Sequence, residues 1–187
     1  MNNEENKLTA LESPFKPEAE KILSHFPTEN GYLLKLFRMW ANSPRHLQKF
    51  AASSLLDKAS PISIKHREIV ILRTTALSNC EYEWGVHVSI FASKVGLTKQ
   101  QVQDTLSPEI NKQLWSSQEI LLLNIVDELK RNSTLSGETK DKFQSEFKVE
   151  AQLEIYALCG FYMTVAFTAN NSEIGLESFA ATFNEYQ

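Results

Sequence analysis

The chain of 187 residues contains few cysteines, since Cys80 and Cys159 are its only two and lie far apart in the sequence. So low a cysteine content excludes a disulfide-rich secreted scaffold and favours a reducing compartment. Basic residues are not in excess either, because the formal net charge is −4. The charge pattern typical of nucleic-acid-binding proteins is therefore missing. We expect a cytoplasmic protein that does not bind nucleic acid.

Long apolar segments are also missing from the sequence. The longest one, residues 155–169, is shorter than the stretch of about 20 residues that a membrane-spanning helix needs. The N-terminal residues 1–7 are polar and acidic, without the apolar core of a secretory signal. We therefore expect no association with a membrane.

Proline is concentrated in the first third of the chain, where five of the six prolines lie at or before Pro61. Residues 1–16 are rich in Asn and Glu and predict a flexible leader. Residues 17–187 are long enough for a single domain with a sizeable core. No turn dipeptide lies between alternating apolar residues, so the sequence predicts no β-hairpin.

Helical periodicity and capping patterns together predict an all-α fold. Ser63 is a predicted helix cap, Gly96 a predicted helix end, and Thr98 and Ser116 each open a capping-box pattern. The predicted helices cover residues 18–25, 32–41, 44–58, 64–77 and 81–95, a short segment between Thr98 and Pro108, and residues 117–131, 136–147 and 150–170.

The last predicted helix is apolar on nearly every face between residues 155 and 167. Such a helix is buried all round, either inside its own domain or against another subunit. We favour the subunit interface, because a small helical domain rarely encloses a helix completely. A central core helix is the alternative.

One short segment, residues 79–87, contains several chemically active side chains. Glu68, in the preceding predicted helix, adds another carboxyl group. If residues 81–95 are helical, Glu83 and His87 lie four residues apart on one face. Cys80 precedes the first turn of the same helix. A thiol, two carboxyl groups and an imidazole together supply a nucleophile, an acid and a base.

These residues resemble the carboxymuconolactone decarboxylase family, which includes the alkylhydroperoxidase D proteins. The resemblance is carried by residues 67–73, 79–87 and 96–98 and extends over about residues 28–180. It implies an all-helical bundle of the alkylhydroperoxidase D type over residues 17–187. It also implies a homo-oligomer, a trimer or a hexamer, whose site is a helix-lined pocket near a subunit contact.

In the hydroperoxidase branch of this family, the motif is a glutamate, then Cys-x-x-Cys, then a histidine. These positions correspond to Glu68, Cys80 and His87, but Glu83 stands where that branch has its second cysteine. A carboxylate cannot form or resolve a disulfide. The Tyr-Glu-Trp-x-x-His version found here is instead typical of the decarboxylase-like branch.

The residues by themselves leave several roles open. A helix N-terminus favours a thiolate at Cys80, whereas the Glu83 carboxylate disfavours it. Cys80 could equally be a small buried apolar residue, and Cys80, Glu83 and His87 could also be metal ligands by type. Tyr82 and Trp84 are predicted to pack in the core or to form the wall of the substrate pocket.

We therefore expect a decarboxylase-like lyase that uses acid–base chemistry on a small carboxylated or lactone substrate. His87 is the predicted principal proton-transfer group, because an unperturbed imidazole titrates near neutral pH. Glu68 and Glu83 would orient it or shuttle protons, and Cys80 would line the site or act as a weak acid. No motif implies a metal or an organic cofactor.

Two other functions remain as alternatives. The first is an oxidoreductase, a thiol peroxidase with peroxiredoxin activity, in which Cys80 attacks the peroxide and an external thiol resolves it. The second is a catalytically silent, oligomeric protein that keeps the pocket and binds a small ligand.

Overall fold

The computed structural model describes residues 7–28, 30–53 and 55–187. Every regular element in these ranges is helical. The α-helices are α1 (Pro17–Leu23), α2 (Lys35–Trp40), α3 (Pro44–Ala52), α4 (Ile64–Leu77), α5 (Glu81–His87), α6 (Lys99–Asp104), α7 (Ser117–Asn132), α8 (Gly137–Glu146) and α9 (Val149–Asn170). A π-helix, Val88–Ala92, continues α5, and short 3-10 helices cover Lys112–Leu114 and Phe183–Glu185. None of the helices within the described ranges combines the length and apolar character needed to cross a bilayer.

Helix α4 is the centre of the bundle, because α5, α7 and α9 all pack against it. Its residues 67–75 are all buried. Arg73 on this helix is also buried, and its Nε and Nη2 atoms donate to the two carboxylate oxygens of Asp127 on α7, at 2.6 and 2.9 Å. This bidentate pair ties α4 to α7.

Helix α9 buries one face within this chain, so the chain by itself does not enclose it on all sides. Ile155, Leu158 and Val165 face the core, whereas Leu153 and Phe167 are 63% and 58% exposed. The interpretation of α9 as a central core helix is therefore wrong, since α4 takes that position. Burial of its outer face against another subunit stays a prediction.

Several of the predicted helix caps and one predicted helix end are present in the structure. Ser63 Oγ accepts the backbone N–H of His66 at 3.1 Å at the start of α4. Thr98 and Ser116 form complete capping boxes before α6 and α7. Gly96 has a φ of +74°, a left-handed conformation that suits a glycine after a helix.

Helix α3 ends at Ala52, six residues before its predicted end. The prediction that this helix continues to residue 58 is therefore wrong. Beyond Ala52, the buried Arg67 of α4 contacts the chain, because its Nη1 donates to the carbonyl oxygens of Leu55 and Asp57 at 3.4 and 3.2 Å.

The predicted leader, residues 1–16, is only partly described, because residues 1–6 lie outside the described residues. The following residues contact the bundle: the Leu11 N–H donates to the Arg38 carbonyl oxygen at 3.3 Å, and Asn42 Nδ2 donates to the Thr9 carbonyl oxygen at 2.8 Å. Helix α1 begins directly after this segment, at Pro17.

The segment after α9 returns to the outer side of α5 at Gly85. A Cβ atom at Gly85 would collide with the carbonyl oxygen of Ala181. The rings of Phe183 and Tyr186 meet the Trp84 ring edge-on, with centroids 5.2 and 5.3 Å away. The segment after α9 can therefore approach α5 this closely only because Gly85 has no side chain.

Candidate active site

Four side chains from three helices meet at a buried hydrogen-bonded cluster. His87 Nδ1 lies 2.6 Å from Glu68 Oε2 on α4. On its other side, His87 Nε2 lies 3.4 Å from Glu83 Oε1 and 3.3 Å from the hydroxyl of Tyr162 on α9. Each of the four residues is at most 6% exposed. The structure thus brings together Glu68, Glu83 and His87 and adds Tyr162.

The connection between α4 and α5 explains how Glu68 reaches His87. Asn79 has a φ of +50°, a left-handed conformation that asparagine adopts more readily than most residues. The Cys80 N–H then donates to the Thr75 carbonyl oxygen at 2.9 Å and closes the turn. Because the turn is tight, α5 folds back along α4 and its last residue meets the first turns of α4.

The chain changes from an α-helix to a π-helix directly after His87, at Val88–Ala92. The sequence indicates no such change, and π-helical turns are frequent at functional sites. The wider turn alters the direction of the side chains that follow. Ile90, Phe91 and Lys94 line the same cavity as His87.

His87 carries a proton at neutral pH. Burial lowers its pKa, but the Glu68 carboxylate at 2.6 Å, together with Glu83, more than offsets this effect and raises the pKa to about 10. As an imidazolium, His87 donates from Nδ1 to Glu68 and from Nε2 towards Glu83 and Tyr162. This differs from the unperturbed imidazole on which the sequence interpretation relied.

Two carboxylate oxygens of the cluster lack a hydrogen-bond partner among the described residues: Glu68 Oε1 and Glu83 Oε2. Buried polar atoms are almost always paired, so each unpaired one needs a physical explanation such as strain, a water molecule or a ligand. Glu83 lines the cavity, whereas Glu68 does not. Glu83 is therefore the carboxyl group of the pair that borders the cavity, although its Oε2 atom is itself buried.

Tyr162 is a site residue that the sequence interpretation missed. Burial raises the pKa of its hydroxyl well above the usual range, so the group stays protonated. Because the His87 imidazolium donates to this oxygen, the hydroxyl proton is free to point to a ligand in the cavity. The sequence signal that could have identified Tyr162 is its hydroxyl group, since the other residues on the buried face of α9 are apolar or cysteine.

The cluster lies at the inner end of a cavity of about 480 Å³, a size typical of small-molecule sites. Its polar inner end is formed by Glu83, His87 and Tyr162, all buried. At its rim, His25 and Lys94 are exposed. Between these ends, six aromatic side chains line the wall together with aliphatic ones: Phe26, Phe37, Trp40, Phe50, Phe91 and Phe161.

Cys80 is completely buried and is not among the residues that line this cavity. Burial raises the pKa of its thiol to about 12; the Glu83 N–H lowers the value and the Glu83 carboxylate raises it. The sequence left open whether the helix N-terminus or the Glu83 carboxylate decides the pKa of this thiol. In the structure, desolvation has a larger effect than either. Cys159 is also buried, and burial raises its pKa to about 11. Both residues are thiols at neutral pH.

Tyr82 and Trp84, the two predicted pocket residues, are buried but do not line the cavity. The Tyr82 hydroxyl donates to Glu177 Oε1 at 2.6 Å, and Trp84 Nε1 donates to Thr105 Oγ1 at 3.0 Å. Successive helical positions point about 100° apart, so both side chains leave α5 in directions away from Glu83. Other residues form the pocket wall.

The described residues contain no group of three or more His, Cys, Asp or Glu side chains placed to hold a metal ion. The set of Cys80, Glu83 and His87, possible by ligand type, is thus not arranged as a metal site.

The helical bundle is similar to solved structures over nearly its whole length. One is an uncharacterized peroxidase-related protein from Silicibacter sp. TM1040, with a TM-score of 0.74, 16% identity, and coverage of 94% of this chain and 96% of that one. Another is the debrominase Bmp8 in its apo form, with a TM-score of 0.72, 19% identity, and coverage of 96% and 97%. These likenesses define the class of fold.

Residues 44–110 match the model of the carboxymuconolactone decarboxylase family. This match confirms the family resemblance that the motif predicted, and the matched segment contains Glu68, Glu83 and His87 but not Tyr162. A comparison with curated proteins found no match.

Proposed function

We propose that this protein is a decarboxylase-like enzyme that transfers protons to and from a carbon atom of a small carboxylated or lactone substrate. The observation that supports it best is Glu83, a buried carboxyl group that faces the cavity with Oε2 unpartnered and an imidazolium beside Oε1. A carboxylate and an imidazolium in contact supply a base and an acid at one point. The family match supports the same chemistry.

In this proposal Glu83 takes the proton from the substrate or returns it, because it is the carboxyl group of the cluster that lines the cavity. His87 holds a proton that it can pass to Glu83, and Glu68 positions His87 through the 2.6 Å contact. Tyr162 donates its hydroxyl proton to a substrate carbonyl oxygen and stabilises the negative charge that develops there. Cys80 has no direct role.

Two reactions fit this arrangement. In a decarboxylation, the bond to the carboxylate carbon breaks, CO₂ leaves, and the electron pair moves into a neighbouring carbonyl group. The substrate carbon then receives a proton from the Glu83–His87 pair. In a lactone isomerisation, Glu83 removes a proton next to the carbonyl group, and the pair returns it to another carbon. Both reactions need the same acid–base pair beside a donor to the carbonyl oxygen.

Solvent deuterium exchange tests the proposal on a panel of model compounds, so the natural substrate need not be identified first. A set of unsaturated lactones and carboxylated lactones is incubated with the protein in D₂O, and NMR follows deuterium at carbon. The wild-type protein should catalyse incorporation into at least one compound. Glu83→Gln should lower that rate about 100-fold or more, as expected for a general acid–base group.

Glu81→Gln is the matched control for this experiment. Glu81 lies on the same helix, and its Oε1 accepts the Phe183 N–H at 2.7 Å, outside the cavity. Glutamine retains an acceptor oxygen, so this variant should exchange like the wild type. If no compound exchanges, including compounds shown to bind, the proposal is contradicted. The protein would then be a non-catalytic protein that binds a small ligand.

The peroxidase alternative is opposed by the burial and raised pKa of Cys80. Peroxide consumption in the presence of a dithiol reductant, abolished by Cys80→Ser, would restore it. Both cysteines are free in the structure, which agrees with the proposed cytoplasmic location.

We also propose that the chain forms a homo-oligomer, a trimer or a hexamer, through the outer face of α9. Leu153, Tyr156 and Phe167 lie along this face and are 63%, 39% and 58% exposed. Light scattering should give a multiple of the chain mass of 21.3 kDa, and Leu153→Glu should reduce it. A wild-type mass near 21.3 kDa at micromolar concentration would contradict the proposal.

A further inference from the structure

A continuous series of aromatic rings runs along the wall of the cavity, beside aliphatic side chains. Trp40 stacks on Phe50, with centroids 4.2 Å apart and planes inclined by 8°. On one side of Trp40 the series continues through Phe37 to Phe26, where the last two centroids lie 4.5 Å apart. On its other side it runs to the inner end of the cavity and back to the rim, through Phe161, Tyr162, His87 and Phe91.

Most of these rings are only partly buried by the protein itself. Phe26, Phe37, Phe50, Phe91 and Phe161 are all half-buried, and all of them except Phe91 also pack against the core. All five line the cavity. Aromatic rings gain most from stacked and edge-on contacts with another flat ring, so the wall favours a planar aromatic ligand.

The charged groups of the cavity are separated along its length. At the inner end, the Glu83 carboxyl group lines the cavity, and its ion-pair partner among the described residues, His87, is shared with Glu68. At the rim, the exposed Lys94 places its ammonium nitrogen 5.9 Å from the centroid of the Phe91 ring. Lys94 also lines the neighbouring cavity, of about 650 Å³, which shares Ile90 with this one.

A ligand with one negative charge is therefore attracted to the rim and repelled from the inner end. The group that reaches Glu83 has to be uncharged, since a second anion there would meet two carboxyl groups in a desolvated site. The Glu83 carboxyl group and the Tyr162 hydroxyl, which both belong to residues lining the cavity, match a neutral group that has an acidic C–H bond beside a carbonyl oxygen.

From this arrangement we infer that the substrate is an aromatic monoanion, bound with its anionic group on Lys94 and its uncharged carbonyl or lactone end against Glu83 and Tyr162. The inference rests on the proposed function and narrows it: the carboxylate is a binding group held at the rim, and the proton transfer takes place at the neutral end. An aromatic lactone or ketone that carries one carboxylate belongs to this class.

Binding of 2-naphthoate, measured by calorimetry, tests the inference directly. We expect it to bind the wild-type protein about fivefold more tightly than neutral 2-naphthylmethanol, given the energy of one exposed charge pair. We expect 2,6-naphthalenedicarboxylate, whose second charge would reach the inner end, to bind about tenfold more weakly or worse. Decanoate, an anion without a ring, should also bind more weakly than 2-naphthoate.

Lys94→Gln should remove the advantage of 2-naphthoate over the neutral alcohol. Lys99→Gln is its control, because Lys99 is also exposed and lies 5.5 Å from the ring centroid of Tyr186, away from this cavity. Glu83→Gln should specifically improve binding of the dicarboxylate, since it removes one carboxylate from the inner end. This last effect would not follow from a purely structural role of Glu83.

The inference is wrong if 2-naphthoate does not bind, if the dicarboxylate binds the wild type as tightly, or if Lys94→Gln behaves like Lys99→Gln. These outcomes are separate from the proposed function, because 2-naphthoate has no exchangeable C–H bond next to its carboxylate. Binding as expected without deuterium exchange of any lactone would contradict only the proposed function. Exchange of aliphatic lactones without naphthoate binding would contradict only this inference.

Discussion

Two buried glutamates, Glu83 on α5 and Glu177, which is bonded to Tyr82 of the same helix, have different surroundings, although both are nearly inaccessible. Glu177, 3% exposed, lies in the segment after α9. Its Oε1 accepts the Tyr82 hydroxyl and the Lys35 N–H, both at 2.6 Å, and its Oε2 accepts the Tyr32 hydroxyl at 2.8 Å. Both oxygens are thus hydrogen-bonded to groups of the fold.

Glu83, 6% exposed, forms far fewer hydrogen bonds through its carboxyl group than Glu177 does. Its Oε1 has only a 3.4 Å contact with His87 Nε2, and its Oε2 has no partner among the described residues. Burial alone therefore does not separate a structural carboxyl group from a reactive one. The saturation of its hydrogen bonds does, because a fully bonded carboxylate stabilises the fold and an unsaturated one can bind a ligand.

The largest expected effect is on activity at Glu83. Glu83→Gln should lower the rate on any substrate that the wild type turns over by about 100- to 10,000-fold, the contribution of a general acid–base group. Glu177→Gln, corrected for its folded fraction, should retain the wild-type rate. Steady-state kinetics of the two variants decides this, and equal losses would remove the distinction between the two glutamates.

The next effect is on stability at Glu177. Glu177→Ala leaves the Tyr82 hydroxyl and the Lys35 N–H buried without their acceptor, so it should lower the free energy of unfolding by about 3 kcal/mol. Urea unfolding measures the change. Glu173→Ala is the control, since Glu173 forms an exposed ion pair with Lys7 and should cost at most about 1 kcal/mol. A Glu177 loss as small as that of Glu173 would contradict the structural role.

His87 should make stability depend on pH. Its pKa is raised from 6.5 to about 10 in the folded protein, so its contribution is fully present below pH 6.5 and is lost as the pH rises to about 10. Unfolding curves between pH 6 and pH 10 should show this decline, and His87→Gln should reduce it. A wild-type and a variant profile of the same shape would show that His87 is not held as an imidazolium.

The smallest effect is expected at Cys80. Cys80→Ser should retain most of the activity and lower the free energy of unfolding by about 1 kcal/mol, because a hydroxyl group replaces a buried thiol. Under mild oxidation, mass spectrometry should find at most a sulfenic acid or a mixed disulfide at Cys80. An inactive Cys80→Ser protein, or a reversible Cys80–Cys159 bridge, would instead support the peroxidase.

His87→Ala completes the comparison as the test of the acid–base pair. It removes the proton that supports Glu83, so a rate loss of about 100-fold or more is expected. If His87→Ala keeps most of its activity while Cys80→Ser loses it, the acid–base mechanism is wrong.

The features that could be predicted from the sequence are those encoded by neighbouring residues. The bounds of α4, the caps at Ser63, Thr98 and Ser116, and the position of Glu83 one turn before His87 depend on periodicity and on contacts within four residues. Glu68 could also be predicted as a site residue, but only from the family motif. Its place 19 residues before His87 is not a local pattern, because the two residues meet only when α4 and α5 pack together.

The remaining features depend on contacts between distant parts of the chain. Tyr162 lies 75 residues from His87, and Glu177 lies 95 residues from Tyr82, so no local pattern connects them. The pKa of His87 likewise follows from its distance to Glu68, which lies 19 residues away in the sequence. Burial, hydrogen-bond saturation and pKa all depend on which surfaces meet in three dimensions, and in this protein tertiary packing sets them.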